Sequence, residues 1–314
     1  MSTLKSWTDA LSGTMNQSYK PIVALTIFEL VDKEISSKDF VNRVSEFFWQ
    51  LETRFQLKHG PVNNEIHGQI IECMKNADNK ERWNSVKNQL DFTVKRGRRA
   101  RRDTIWAKLC EMPLEKLPTS EDDELYYVHA DRIVIPESSI EVIKANRKAL
   151  TTFARCRLGE FLEKFNSSSP RINQKVKIAW EKKRPTRPGY MTEILSVFHE
   201  KLECYLCGAQ IPRTPDWDHV LPFSYIGGHD IWNFMPTCGP HSGTSSNCNQ
   251  KKSARMPSDE EIMRTEERNK SMLKWLENYD DASIKNTSIG NARRDLEFER
   301  SNNELRRLWN SIIG

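Results

Sequence analysis

The chain has 314 residues, of which 37% are hydrophobic and 29% charged, with a mean hydropathy of −0.69 and a formal net charge of +5. At about 100–200 residues per domain this length predicts two domains, and 13 Phe, 9 Trp and 7 Tyr supply enough apolar bulk to exclude a disordered chain. The longest apolar runs, such as residues 22–25, fall far short of the roughly 20 residues that a membrane helix needs. The first 20 residues hold no apolar stretch of the secretory kind, and the seven cysteines are odd in number. Together these features argue against a disulfide framework and predict a cytoplasmic protein.

In chain order, Lys20-Pro21 opens a helix carrying Ile22, Leu25, Phe28 and Val31, with the proline in its first turn and an amphipathic pattern. Ser36 and Asp39 form a helix-start signal ahead of Phe40, Val41, Val44, Phe47 and Phe48. Helical patterns recur over residues 64–74, 80–90 and 104–111, before Pro113 and Pro118 interrupt the chain. Residues 125–128 and 132–135 read as two short strands with Asp131 at the turn. Pro136-Glu137 then opens a long helix with Ile140, Ile143, Leu150, Phe153, Leu158 and Phe161 on its stripe. Asn166-Ser167-Ser168-Ser169-Pro170 is the strongest linker signal. It predicts a helical N-terminal domain over residues 1–168 and a second domain over 169–314. In the second domain, a helix over residues 191–202 leads into the cysteine cluster. Ser258-Asp259-Glu260-Glu261 caps a helix with Ile262, Met272 and Leu276, and a last helix carries Leu296, Leu305, Leu308, Trp309 and Ile312.

The cysteines divide in two. Cys73, Cys110 and Cys156 are scattered through helical segments and read as small buried hydrophobes. Cys204, Cys207, Cys238 and Cys248 fall close together. Cys204-Tyr205-Leu206-Cys207-Gly208 is a knuckle that presents two thiolates to one ion, and a second pair completes a tetrahedron, which reads as structural zinc. Nine residues separate Cys238 from Cys248, and His241 stands at C-x-x-H spacing from Cys238. The fourth ligand is therefore Cys248 or His241.

Positive charge is concentrated. Six of the eight residues from 95 to 102 are basic, among them Arg98, Arg99, Arg101 and Arg102. Residues 171–187 hold seven basic residues against the single acid Glu181, including Lys175, Lys182, Lys183, Arg184 and Arg187. Two such runs on an otherwise nearly balanced chain are the footprint of a partner with a phosphate backbone.

Between the two halves of the cysteine cluster lies Trp217-Asp218-His219-Val220-Leu221-Pro222, followed by Asp230-Ile231-Trp232-Asn233-Phe234 and then by Cys248-Asn249-Gln250-Lys251-Lys252. Asp218 and Asn249 are oxygen ligands suited to a hard divalent ion such as Mg²⁺. On an extended segment His219 points to the face opposite Asp218, which suits it to take a proton from an attacking water near neutral pH.

These strings resemble the HNH (His-Me finger) endonucleases, whose ββα-metal core often carries a four-cysteine zinc. The likeness covers residues 203–255 and rests on C-Y-L-C-G, W-D-H-V-L-P-F-S, G-G-H-D-I-W-N-F-M-P-T-C and C-N-Q-K-K-S. It implies a mainly α protein with a small ββα-metal core. It also implies that His219 is the general base, that Asp218 and Asn249 hold a catalytic Mg²⁺ or Mn²⁺, and that Asn233 braces the loop orienting His219. Lys252, with Lys251 beside it, would contact phosphate or the finger helix. More loosely, Ser18-Tyr19-Lys20-Pro21 and the Trp-Asp-His wording resemble bacterial restriction and phage-defence proteins, which adds other defence proteins to DNA as expected partners. The competing expectations are a non-catalytic zinc-stabilised DNA-binding module and a nuclease directed at RNA.

Overall fold

The computed structural model describes residues 4–13, 15, 18–60, 65–90, 104–115, 117, 125–182, 186–198, 203–211, 215–238, 256–279 and 283–313. Among the described residues the fold is mainly helical with two small antiparallel sheets. No helix among the described residues is long and apolar enough to cross a membrane. The chain divides into two compact units, Met1–Lys183 and Arg184–Gly314.

The first unit is built on helices α1 (Leu4–Ser12), α2 (Tyr19–Leu30), α3 (Ser37–Phe55), α4 (Glu65–Asn76), α5 (Trp83–Lys87), α6 (Ile105–Leu109), α7 (Glu137–Glu163) and α8 (Ile172–Glu181). Helix α2 differs from the amphipathic helix expected, because all eight residues from Pro21 to Phe28 are buried. It runs through the centre of the unit, packed by α1, α3 and α7, and a helix enclosed on every side is apolar all round. Ser36 caps α3 by accepting from the Asp39 amide at 3.1 Å, and Thr104 caps α6 from the Ala107 amide at 3.2 Å. Beyond α6 a π turn over Cys110–Leu114 accommodates Pro113. The helix expected over 80–90 contracts to α5. The two predicted strands are β2 (Tyr127–Val128) and β3 (Arg132–Val134), and β1 (Glu34–Ser36) joins the other edge of β3, so the order is β1-β3-β2. Ile35 lies opposite Ile133 in this sheet, and both are buried.

The unit boundary lies later than the 168/169 division expected from the serine-rich stretch. That stretch is pinned to the unit. The Asn166 side chain accepts from the Lys58 amide at 2.8 Å and donates to the carbonyls of Lys58 and Leu162, each at 2.8 Å. Helix α8 then packs on α3 and α7, with Trp180 edge-on to Phe47, the ring centroids being 5.4 Å apart.

The three scattered cysteines are not core thiols. Cys73 and Cys110 are half-buried and Cys156 is exposed on α7.

The second unit contains α9 (Gly189–Val197), β4 (Asp216–His219), α10 (Phe223–Ile226), a 3-10 turn (Ile231–Asn233), β5 (Phe234–Thr237), α11 (Asp259–Glu277), α12 (Asn286–Asn302) and α13 (Glu304–Ile313). Its core gathers Met191, Ile194, Trp232, Phe234, Met272 and Leu296. Ser258 and Glu261 close a reciprocal capping box at the start of α11. The single last helix expected is two helices, because Asn303 adopts a left-handed conformation (φ 47°) that asparagine tolerates better than most residues.

Candidate metal centre and histidine site

The knuckle forms where its sequence places it. The Cys204 amide donates to the Ala209 carbonyl at 2.9 Å, and the Gly208 amide donates back to the Cys204 carbonyl at 2.7 Å. Gly208 takes a positive φ of 71°, which a side chain would strain. The Tyr205 amide donates to the Pro236 carbonyl at 3.1 Å, so the knuckle is tied to β5, which delivers Cys238.

The sulfurs of Cys204, Cys207 and Cys238 all lie within 4.8 Å of one another, with Cys204 and Cys238 buried and Cys207 exposed. The Cys207–Cys238 separation is 3.7 Å. A tetrahedral zinc with bonds of about 2.3 Å sets its sulfurs about 3.8 Å apart, whereas a disulfide needs about 2.0 Å. The Cys238 amide donates to the Cys204 sulfur at 3.3 Å, and the amides of Leu206 and Cys207 point to the same atom. Burial pushes the Cys204 thiol up to about 12, and these three donors pull the other way by favouring the thiolate. Three converging sulfurs with amide donors already aimed at one of them can hold a metal such as zinc. The fourth-ligand candidates Cys248 and His241 lie outside the described residues.

Strands β4 and β5 pair antiparallel, with Asp218 opposite Met235 and His219 opposite Phe234. Side chains alternate along such a pair: His219 is buried at 7% exposure while Asp218 is half-exposed. The His219 amide donates to the Asp218 Oδ1 at 2.7 Å, which fixes the carboxylate beside its neighbour's backbone. The His219 ring packs on Phe234 and Phe223, with centroids 4.3 and 5.9 Å away. Its Nε2 lies 3.0 Å from Nδ1 of His229.

The loop between the strands is closed at both ends. Gly227, at φ 74°, ends α10 by donating its amide to the Phe223 carbonyl at 2.7 Å. Asn233 is fully buried and bonds both main-chain polar groups of Leu221. On the far side, Arg268 of α11 directs its guanidinium to the carbonyls of Ile231, Trp232 and Phe234, and Asn269 donates to the Trp232 carbonyl at 3.0 Å.

The described basic residues differ in setting. Arg187 turns inward: it donates to the Trp217 carbonyl at 3.1 Å and lies over the Phe234 ring at 4.8 Å. Burial lowers its pKa from the ordinary arginine value, and the nearby carboxylates of Asp218 and Asp216 oppose that shift. Lys182 belongs to the first unit and pairs with Glu46 at 2.5 Å. Lys175 is fully buried and donates to Ser169 Oγ at 2.6 Å; burial, with Arg171 nearby, brings its pKa down to about 8. Lys183, Arg184, Arg98, Arg99, Arg101, Arg102, Lys251, Lys252 and Asn249 lie outside the described residues.

Three contributors escape the sequence reading: His229 as partner of His219, and Arg268 with Asn269 as anchors of the 3-10 turn. Arg268 carried a usable signal, because it falls between Thr265 and Met272 on the buried stripe of α11, where an exposed arginine has no place. For His229 no spacing signals a contact made across a loop. No family model, no curated protein and no solved structure matches the chain.

Proposed function

We propose that the second unit is a metal-dependent endonuclease of the HNH type that hydrolyses phosphodiester bonds in DNA. The observation that carries the reading is the β4–β5 hairpin. Its strand end bears the adjacent Asp218 and His219, and its flanks carry Cys204, Cys207 and Cys238. In this reading the segment that begins at Cys248-Asn249, outside the described residues, would supply the remaining part of a ββα-metal core.

His219 accepts a proton from water as that water attacks phosphorus in line. A neutral imidazole, with an ordinary pKa of about 6.5, is suited to this near neutral pH. Asp218 and Asn249 would hold Mg²⁺ or Mn²⁺, since a carboxylate and an amide oxygen are the donors a hard cation prefers. Bound there, the ion would supply charge to offset what develops on the phosphate and the leaving oxygen. Asn233 keeps the loop closed behind His219 and touches no reacting atom. Zinc on the cysteines would act as a structural staple for a segment too small to hold itself together. Arg187 lies close enough to Asp218 to feel its charge, and with Lys251, Lys252 and the run at residues 95–102 it would position the DNA backbone without reading sequence. The looser likeness to restriction and phage-defence proteins would make invading DNA in the cytoplasm the substrate.

One observation favours the rival reading, a zinc-stabilised binding module without catalysis: His219 is buried, and its Nε2 already faces His229. Supercoiled-plasmid cleavage separates the two. The nuclease reading expects nicking or linearisation with Mg²⁺ or Mn²⁺, none with EDTA, and none in His219→Ala. Cleavage that survives His219→Ala overturns the assignment of the base, and DNA binding without cleavage under either metal supports the rival. A parallel RNA substrate tests the nucleic-acid class.

A further inference from the structure

The His219 ring lies within hydrogen-bond distance of another imidazole. His219 Nε2 and His229 Nδ1 are 3.0 Å apart, the ring centroids are 5.0 Å apart, and the planes differ by 26°. Face-to-face rings would meet across contacts of about 3.5–4.0 Å with no short N···N line. Here the rings meet edge to edge, which is the geometry of an N–H···N hydrogen bond.

Such a bond requires one protonated and one bare nitrogen, so the tautomers of the two rings are coupled. If neutral His219 carries its proton on Nε2 and donates it to His229 Nδ1, the bare nitrogen of His219 is Nδ1. That is the state in which His219 can act as a base.

The backbone on either side of His229 is held. Gly227 closes the end of α10, and the Asn233 amide donates to the Asp230 carbonyl at 2.9 Å. His229 therefore sits on a short tether between two fixed points, and Phe223 packs on its ring with centroids 5.3 Å apart. A histidine in this position does not drift into the contact by chance rotation of a long loop.

From this geometry we infer that His229 is a positioning residue for the proposed reaction, accepting a hydrogen bond from His219 Nε2 and so holding His219 in one rotamer and in the tautomer with Nδ1 bare. The inference rests on the nuclease reading for its catalytic consequence, and on the hydrogen bond alone for its structural content.

The test uses the full chain with His229→Phe, which keeps ring volume without a nitrogen, and His229→Asn, whose amide can offer an acceptor near the former Nδ1. With plasmid substrate and Mg²⁺, His229→Phe is expected to lower kcat by about 10- to 100-fold, the range typical of removing a group that orients a reacting residue, with KM little changed. His229→Asn is expected to recover most of that loss. In parallel, ¹⁵N–¹H correlation spectra of the histidine rings should show His219 as a single Nε2-protonated tautomer in the wild type and as a mixture in His229→Phe. A wild-type kcat in His229→Phe, or an unchanged His219 tautomer in that variant, overturns the inference. A wild-type protein that cleaves no DNA under either metal overturns the nuclease reading and the catalytic role with it, while the ring spectra still decide whether the hydrogen bond holds His219.

Discussion

The side-chain amide of Asn233 closes on the backbone of Leu221 from both sides: Oδ1 accepts from the Leu221 amide at 2.8 Å and Nδ2 donates to the Leu221 carbonyl at 3.0 Å. The Val220 amide also donates to the Asn233 carbonyl at 2.8 Å. The chain leaves β4 at His219 and re-enters β5 at Phe234, so this staple ties the exit of one strand to the entry of the next. A side-chain amide, with a donor and an acceptor on one carbon, can serve both main-chain groups of a single residue.

Replacing Asn233 with Ala therefore leaves a buried N–H and a buried C=O without partners. At about 1–3 kcal/mol for each unsatisfied group, the second unit should lose about 2–6 kcal/mol, read as a lower midpoint in urea unfolding. Asn233→Asp restores the acceptor but turns a carboxylate oxygen toward the Leu221 carbonyl, so it should not recover wild-type stability. An unchanged midpoint in Asn233→Ala would show that the staple contributes nothing.

Metal content follows from the sulfur geometry. Purified protein should contain one zinc per chain, and Cys204→Ser or Cys238→Ser should remove it, as read by elemental analysis. Zinc binds thiolates, and burial raises the Cys204 pKa, so protons compete with the metal and occupancy should fall as pH falls. Chelation should lower the melting temperature. Comparing Cys248→Ser with His241→Ala identifies the fourth ligand, because only the true ligand's loss lowers zinc affinity.

Arg268 is buried and serves the carbonyls of Ile231, Trp232 and Phe234. Arg268→Met keeps much of the packing and removes every guanidinium donor, so the carbonyls of Ile231, Trp232 and Phe234 each lose a charged partner. A loss of about 3 kcal/mol or more is expected, since each bond from a charged donor contributes about 1.5–3 kcal/mol. Arg268→Lys should recover only part of it, because an ammonium cannot reproduce the planar fork. Denaturant unfolding of the three proteins gives the order directly.

His59, in the first unit, is buried against Phe48 and His67, with Ser18 Oγ 3.4 Å from its Nδ1; His67 in turn pairs with Glu52 at 3.1 Å. Burial, and then the neighbouring His67, hold the His59 pKa well below 6.5. The folded ring thus stays neutral where the unfolded one takes up a proton, so the unfolded state binds more protons and stability rises with pH. The contribution is complete above about pH 7.5 and is lost as pH falls through and below the ordinary histidine pKa of about 6.5. Urea midpoints measured from pH 7.5 to 5 should fall less steeply in His59→Leu than in the wild type. Parallel slopes would contradict this assignment.

Much of the local structure is legible in the amino-acid order because its causes lie within a few residues. Ser36, Thr104 and Ser258 each bond an amide three positions ahead, so the helix starts after them can be read directly. The Cys204–Gly208 knuckle closes on itself and Ala209, and adjacency alone sends Asp218 and His219 to opposite faces of a strand. Helix ends are less legible. Asn303 in one helical run gave no warning that the run would split, because asparagine also occurs within helices and packing decides between the two.

What the sequence by itself determined is therefore the set of short-range features: caps, the knuckle, the strand pair around Asp218 and His219, and the types of donor available for a metal. Only the tertiary structure decided which distant groups meet. A serine-rich stretch that reads as a linker is anchored by Asn166 to Lys58, Lys175 of a basic run is buried, Arg187 turns onto Phe234, and His229 reaches His219 across a loop. The physical reason is that a bond between near neighbours orders few residues, whereas a contact across a long loop first costs the entropy of closing it. Such contacts persist only where a whole core of packed side chains offsets that cost, and no local pattern records which partners the core will bring together.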